Sequence, residues 1–356
     1  MAYLKLYSEK LQHNYRFLDN LFRRNSINWG VTTKLLCGNE DYLNEVINLG
    51  PAEVLDSRVS NLKKIKEINP DINTVYIKPP PKEAISEIVQ YADVSFNTEL
   101  ETIKALSKEA VKQNKNHRIL IMVEMGDLRE GVMREDLINF YSQIFELPNI
   151  SVVGLGTNLN CLHGVMPSSD KLIQLTLYKQ LIELKFHKDI PYVSGGTTVT
   201  IPLLLQGELP KGVNHFRVGE ALFFGINLFT HEPLEGMEPG VMELYTQVIE
   251  IYKKPMVPSG QLGANPSGET MEIDEDLYGE MHHRAIVDIG ILDIDPDYLI
   301  PVNPDVKIID ASSDMLVLDV GDNKPDYKVG DIIRFRLKYM GALGLMNSSY
   351  IEKRVE

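Results

Sequence analysis

An alternation of short apolar runs with helical stretches sets what this chain can fold into. Up to about residue 230 it carries about eight strand-like runs, most of them followed by a segment of helical period. A first helix is expected over Ser8–Arg24, with Leu11, Tyr15, Leu18 and Phe22 on one stripe. The first strand, "NWGVTTK", follows. Then "EVLDS" leads to "RVSNLKKIKEI", "NTVYIK" to "PKEAISEIVQYA", and "DVSFN" to a helix opening at Thr98 in a capping-box pattern with Glu101. "RILIMVE" leads to "REDLINFYSQIFEL", and "SVVGLGT" to "DKLIQLTLYKQLIEL"; "PYVSGG", "TIPLLLQG" and "VNHFRVG" complete the series. Repeated βα units imply parallel strands joined by crossover helices. Eight of them favour a closed (β/α)₈ TIM-type barrel over an open doubly wound sheet.

Beyond "THEPLEGMEPG" the helical period fades. Short strand-like runs replace it, "LYTQVIEIY", "HRAIVDIGIL", "VKIIDA", "MLVLDV" and "DIIRFRLKYM", separated by turns such as "VPSG" and "NPSG". The expected organisation is a barrel over residues 1–232 and a mostly β domain over 233–356. Of the 356 residues, 44% are hydrophobic and 24% charged, so a large core needs no disulfides. A net charge of −14 without a basic block argues against nucleic-acid and anionic-membrane partners. Two cysteines, Cys37 and Cys161, and no apolar run of membrane-spanning length lead to the expectation of a soluble cytoplasmic protein.

A barrel of this kind keeps its chemistry at the C-terminal ends of its strands. Lys34 ends the first strand beside Leu35, Leu36 and Cys37. It either reaches solvent and pairs with a carboxylate, or it is a Schiff-base lysine whose amine is kept neutral by apolar neighbours. "SGGTT" (Ser194 to Thr198) follows the seventh strand and "RVGE" (Arg217 to Glu220) the eighth. Glycines let backbone N–H groups approach an anion closely, and phosphate sites of this fold sit after these two strands.

With these residues in place, the chain resembles the alanine racemase-like, fold-type III enzymes that use pyridoxal 5′-phosphate. Within that family the likeness is to ornithine racemases and broad-specificity amino-acid racemases. It covers nearly the full length and is carried by "VTTKLLCG", "DSRVSNLKKI", "FNTELETIKALSKEA", "MGDLREGV", "GLGTNLNC", "SGG", "RVGEA", "ASSDMLVLDV" and "YKVGDII".

The resemblance implies that Lys34 holds the cofactor and works on one face of the substrate's Cα. It puts Arg217 against the pyridine nitrogen, where a guanidinium keeps that nitrogen unprotonated. Ser194, Gly195, Gly196 and Thr197, with the backbone of Gly219 and Glu220, would cup the phosphate, and Tyr339 would add a hydroxyl. The alternative for Tyr339 is a tyrosine packed in a β core. Arg129 would lie near the cofactor phenolate and the substrate carboxylate; an exposed ion pair is its plainer reading.

Three departures from alanine racemases stand out. Asn158 replaces a histidine against the cofactor ring, which breaks any proton relay there. The stretch "KKPMVPSGQLGANPSG" lacks the tyrosine that a partner subunit supplies as the opposite acid–base group. Cys161, Ser312, Ser313, Tyr278, His282 and His283 are the candidates left to replace it; a Cys161 buried without a role is the common alternative. Finally, Ser312, Ser313 and Asp314 stand where a Cys-Met-Asp turn is usual, opening a polar substrate end; Asp293 and Asp314 are candidate partners for a distal ammonium, with structural turn carboxylates as the equal alternative.

The function implied is racemisation of ornithine or another basic or broad set of amino acids by Cα proton abstraction. The enzyme would be a homodimer with its active site at the subunit interface and no metal. The alternatives are a non-catalytic pyridoxal-phosphate carrier, or a D-amino-acid aldolase or decarboxylase on the same scaffold.

Overall fold

The computed structural model describes residues 2–230, 232–264, 268, 270 and 272–356. His231 of "THEPLEGMEPG" and residues 265–267 of the tyrosine-free stretch therefore lie outside the described residues. The chain divides into two compact units, Tyr7–Val241 and Met1–Leu6 with Met242–Glu356.

The Tyr7–Val241 unit is the barrel. Its strands are β1 (Asn28–Thr32), β2 (Glu53–Asp56), β3 (Asn73–Tyr76), β4 (Val94–Asn97), β5 (His117–Met122), β6 (Ile150–Gly156), β7 (Tyr192–Ser194, resuming at Gly196–Thr197) and β8 (His215–Val218). Each pairs in parallel with the next, and β8 pairs with β1, setting Arg217 opposite Gly30. The first part of β7 bonds to β6 and the second to β8, so the ring closes across Gly195. Leu55, Val75, Val94, Phe96, Leu120 and Met122, contributed by β2 to β5, make one buried cluster. That is the layered interior of a filled barrel, not a pore. The Ser8–Arg24 helix forms as expected and buries Leu11, Tyr15, Leu18 and Phe22. The helix after β4 begins at Leu100, with Glu99 extended at its N-cap and no side-chain cap. Thr98 thus lies one residue outside the capping position assigned to it.

The second unit is an antiparallel sheet built on the long strand Met242–Pro255. The first half of that strand pairs with Ile332–Leu337, and the second half with Met281–Val287. The expected boundary at residues 232/233 differs from this division at both ends. Tyr3–Leu6 is a strand that pairs with Met242–Tyr245 on one side and Glu352–Val355 on the other, burying Leu4 and Leu6 completely. Four residues are too few for periodicity to reveal such a strand. "DIIRFRLKYM" ends as a strand at Leu337, and Tyr339 opens the helix Tyr339–Asn347. Tyr339 is therefore a half-buried helix residue and not part of a β core.

Candidate active site

Lys34 stands just past β1, at the start of a single 3₁₀ turn, Lys34–Leu36. Thr33 pins that turn to β2: its N–H donates to the Leu55 carbonyl (2.8 Å) and its hydroxyl to Asp56 Oδ2 (3.0 Å). Asp56 is fully buried and also accepts from the Arg58 N–H and the Asn61 amide. Burial raises the Asp56 pKa despite these donors. Lys34 itself is exposed, while Leu35 and Leu36 are buried. This corrects the expectation of a lysine kept partly dry by its neighbours. Successive residues of a helical turn face different ways, so the leucines enter the core and the amine does not share their shelter.

Arg217 is buried on β8. Its Nη1 donates to Asn158 Oδ1 (2.8 Å) and its Nη2 to the Thr157 carbonyl (2.7 Å), while the guanidinium carbon lies 5.3 Å from the centre of the Phe96 ring. Nε is buried and has no partner among the described residues. Burial pulls the guanidinium pKa down to about 10, so it stays charged at neutral pH.

A chain of side chains joins this arginine to Arg129. Asn158 Nδ2 donates to the Glu130 carboxylate, which also receives Arg129 Nε and, at 2.6 Å, Arg129 Nη2. The hydrogen bonds to Glu130 hold the Arg129 pKa above its ordinary value. Arg129 is thus in the ion pair offered as its plainer reading, and Glu130 makes that pair part of the Arg217 surroundings. The loop bearing it folds back on β5 through Val132 N–H to the Met122 carbonyl (2.8 Å). Gly131 permits this at φ +155°, where a Cβ would come within 2.3 Å of the Glu124 nitrogen.

Cys161, a candidate acid–base group whose alternative was a buried thiol without a role, is exposed in the loop after β6. That loop is gathered by Asp127, whose carboxylate accepts from the backbone N–H groups of Cys161, Leu162, His163 and Val165 at 2.9–3.3 Å. Burial pushes Asp127 up, but these donors outweigh it and hold the carboxyl below its usual range. Protein atoms crowding the Cys161 sulfur raise the thiol, against the opposing charges of Arg129 and Arg217.

Past the ends of β7 and β8 the picture is mixed. Ser194 is fully buried, with its hydroxyl 2.7 Å from His215 Nδ1; His215 Nε2 lies 2.5 Å from Glu53 Oε1. The Ser194 hydroxyl therefore belongs to the barrel interior, which corrects its assignment to a phosphate cup. A Cβ on Gly196 would come within 2.0 Å of the Phe216 ring, and one on Gly219 within 2.8 Å of the Thr32 carbonyl. Strand packing alone requires both glycines. The Thr197 N–H donates to Thr200 Oγ1 (3.3 Å), and the Ala221 N–H to Thr198 Oγ1 (3.2 Å). Glu220, expected to act only through its backbone, also brings its carboxyl into the field of Lys34. Burial raises that carboxyl to about 7, opposed by the lysine's charge.

In the second unit, Ser312, Ser313 and Asp314 form an exposed turn in which the Ser313 hydroxyl donates to Asp314 (3.1 Å). Asp293 is half-buried, and Tyr278 is exposed. His282 Nδ1 is 2.9 Å from Asp319 Oδ2, and the His283 N–H donates to the Gly321 carbonyl (2.8 Å). The barrel unit thus brings together Arg129, Asn158, Cys161 and Arg217, and separately Lys34 and Glu220. Sequence reasoning missed Glu130, Asp127 and Glu53. The first two stand inside "GDLREG", where carboxylates in a polar loop are no anomaly.

Comparison with known proteins agrees with this geometry. The family described as "Alanine racemase, N-terminal domain" matches residues 7–227. The ornithine racemase of Acetoanaerobium sticklandii is 37% identical over 347 residues, 97% of either chain. The lysine racemase of Thermotoga maritima is 30% identical, over 98% of this chain and 96% of its own. An alanine racemase from Bartonella henselae with covalently bound pyridoxal phosphate shares the fold at a TM-score of 0.75 and 15% identity, covering 100% of this chain and 99% of its own. A strand-end lysine, a buried arginine on the neighbouring strand and full-length sequence similarity converge: this chain belongs to the alanine racemase family.

Proposed function

We propose that the protein is a pyridoxal-phosphate-dependent amino-acid racemase acting on basic amino acids, ornithine and lysine foremost. The observation that carries this reading is Lys34 past the end of β1 with Arg217 on the adjoining β8, in a chain matched over nearly its whole length by an ornithine and a lysine racemase.

The residues fit the cofactor, because the buried Arg217 Nε lacks a partner among the described residues and would supply a donor to an acceptor such as a pyridine nitrogen. When bound, the pyridoxal group supplies an electron sink that acidifies the Cα–H bond of the amino acid attached to it. Lys34 would hold the group covalently and, once the substrate's amine had displaced it, its freed amine would exchange the α-proton on one face of the substrate. Arg217 orients without giving up its proton, since its pKa remains near 10. Arg129, steadied by Glu130, receives the substrate carboxylate. Cys161 returns a proton on the opposite face, and its raised pKa keeps the thiol protonated for that step. Backbone groups of Gly195, Gly196, Thr197, Gly219 and Glu220 would hold the phosphate. Ser312, Ser313 and Asp314 receive the distal ammonium, and the net charge of −14 favours the approach of a cationic substrate. No described helix is long and apolar enough to cross a membrane. Neither Cys37 nor Cys161 is in a disulfide among the described residues, in keeping with a reducing cytoplasm, and a homodimer is part of the same reading.

The test is α-proton exchange. Holoenzyme incubated in D₂O with L-ornithine or L-lysine is expected to lose optical rotation while deuterium enters at Cα. The Lys34→Ala variant should lose at least about 10⁴-fold in that rate. No exchange with any amino acid of a full panel would overturn the reading and leave a cofactor carrier.

A further inference from the structure

Glu130 is tied to both arginines of the site. Its Oε2 receives Arg129 Nε, and its Oε1 receives Arg129 Nη2 (2.6 Å) and Asn158 Nδ2. Asn158 Oδ1 in turn receives Arg217 Nη1 (2.8 Å). The amide of Asn158 is thereby oriented from both sides, its oxygen toward a guanidinium and its NH₂ toward a carboxylate. The Glu130 charge acts on both arginines: it helps hold the Arg129 pKa up and opposes the pull of burial on Arg217.

The arrangement has a geometric and an electrostatic consequence. The Glu130 side chain is 14% exposed and that of Arg129 40%, so the carboxylate is the inner half of the pair. It takes the Nε–Nη2 edge of the guanidinium, while Nη1 has no partner among the described residues. Arg129 therefore meets an incoming carboxylate with its outer edge, already oriented. The electrostatic consequence concerns what else the substrate carries. Two arginines bring two positive charges, and the neighbouring carboxylates are engaged elsewhere. Asp127 holds four backbone N–H groups, and Glu53 holds His215. An amino acid with a neutral side chain has no net charge, whereas a basic one adds a positive charge to those of the arginines.

We propose that Glu130 is a specificity-determining residue: it fixes Arg129 for the α-carboxylate and cancels one positive charge, so that the site accepts a substrate with a second ammonium. The proposal rests on the racemase reading. It requires no contact between Glu130 and that ammonium, because unit charges act on one another through several ångströms of a partly buried site.

The test compares L-ornithine with L-norvaline, which has the same carbon chain without the distal amine. α-Proton exchange in D₂O is measured per cofactor-loaded protomer for the wild type, Glu130→Gln and Glu130→Asp. The wild type should favour ornithine. Glu130→Gln loosens Arg129 and should raise KM for both amino acids, and it should also lower the ornithine-to-norvaline ratio of kcat/KM at least about tenfold. Glu130→Asp shortens the reach to Arg129 but keeps the charge. It should raise KM for both substrates and leave the ratio within about threefold of the wild type. A residue with a merely structural role would move both substrates alike in both variants. An unchanged ratio in Glu130→Gln would overturn the proposal, as would an equal fall in Glu130→Asp. Absence of exchange with either amino acid in the wild type would instead overturn the racemase reading, and this proposal with it.

Discussion

His215 and Arg217 stand two residues apart on β8, so their side chains leave the same face of the strand. Both are buried, yet their surroundings differ in kind. Both ring nitrogens of His215 are engaged, by Ser194 and Glu53, and Gly30 leaves room for the acid: a Cβ there would come within 2.5 Å of the Glu53 side chain. Arg217 spans to the loop after β6 and is left with a buried Nε that no described residue answers. A satisfied buried group holds a structure together, whereas a buried donor left open is a cost that persists where a ligand uses it. One strand thus passes from a structural layer to a chemical one within two residues.

The sharpest break of this comparison is a pair of substitutions with opposite signs. Arg217→Gln removes a buried charge and its unanswered Nε, at the cost of the bonds to Asn158 and Thr157. Melting of the cofactor-free chain is expected to be unchanged or higher, as when active-site strain is relieved. α-Proton exchange per folded protomer should fall about 10²- to 10³-fold, near 3–4 kcal/mol, with the bound cofactor's absorbance shifted. His215→Leu should do the reverse. It strands the Ser194 hydroxyl and the Glu53 carboxylate, which should cost about 2–4 kcal/mol in urea unfolding. Exchange per folded protomer should change less than about threefold. If both variants lost activity and stability together, the division of β8 into two layers would be wrong.

The same division explains which parts of the site were legible beforehand. Lys34 and Arg217 can be found because a charged residue ending an apolar run is an anomaly, and strand ends are where this fold keeps chemistry. Glu130 gives no such signal: a glutamate in a polar loop is what any loop would carry. Its role exists only once the loop folds back through Gly131 and meets Asn158 from another strand. The eight strands were readable for the same reason as Lys34, since the barrel pattern repeats along the chain. The Tyr3–Leu6 strand was not, because its partners begin more than two hundred residues away in Met242–Pro255 and Glu352–Val355. The serine of "SGGTT" misled for a related reason. Its neighbours suggest a phosphate loop, and only the interior shows that His215 has claimed its hydroxyl.

Glu220, one turn past Arg217, gives the finest measure of the contrast. Burial lifts its carboxyl from the ordinary 4.5 to about 7, against the pull of Lys34. An acid whose pKa is higher folded than unfolded binds protons more tightly in the native state. Its favourable contribution is complete below the unfolded value and disappears as pH rises through about 7. Over pH 5 to 8 the cofactor-free chain should therefore lose stability through this residue. The side chain is partly open to solvent, so the loss is about 1 kcal/mol, less than the whole shift implies. Glu220→Gln should flatten that part of the pH–stability curve and leave the region below about pH 4.5 unchanged. In Lys34→Met, removing the opposing charge should steepen it, because the carboxyl then has only its burial to answer to. An unchanged slope in both variants would mean that Glu220 and Lys34 do not share a field, and the charged end of β8 would reduce to Arg217 alone.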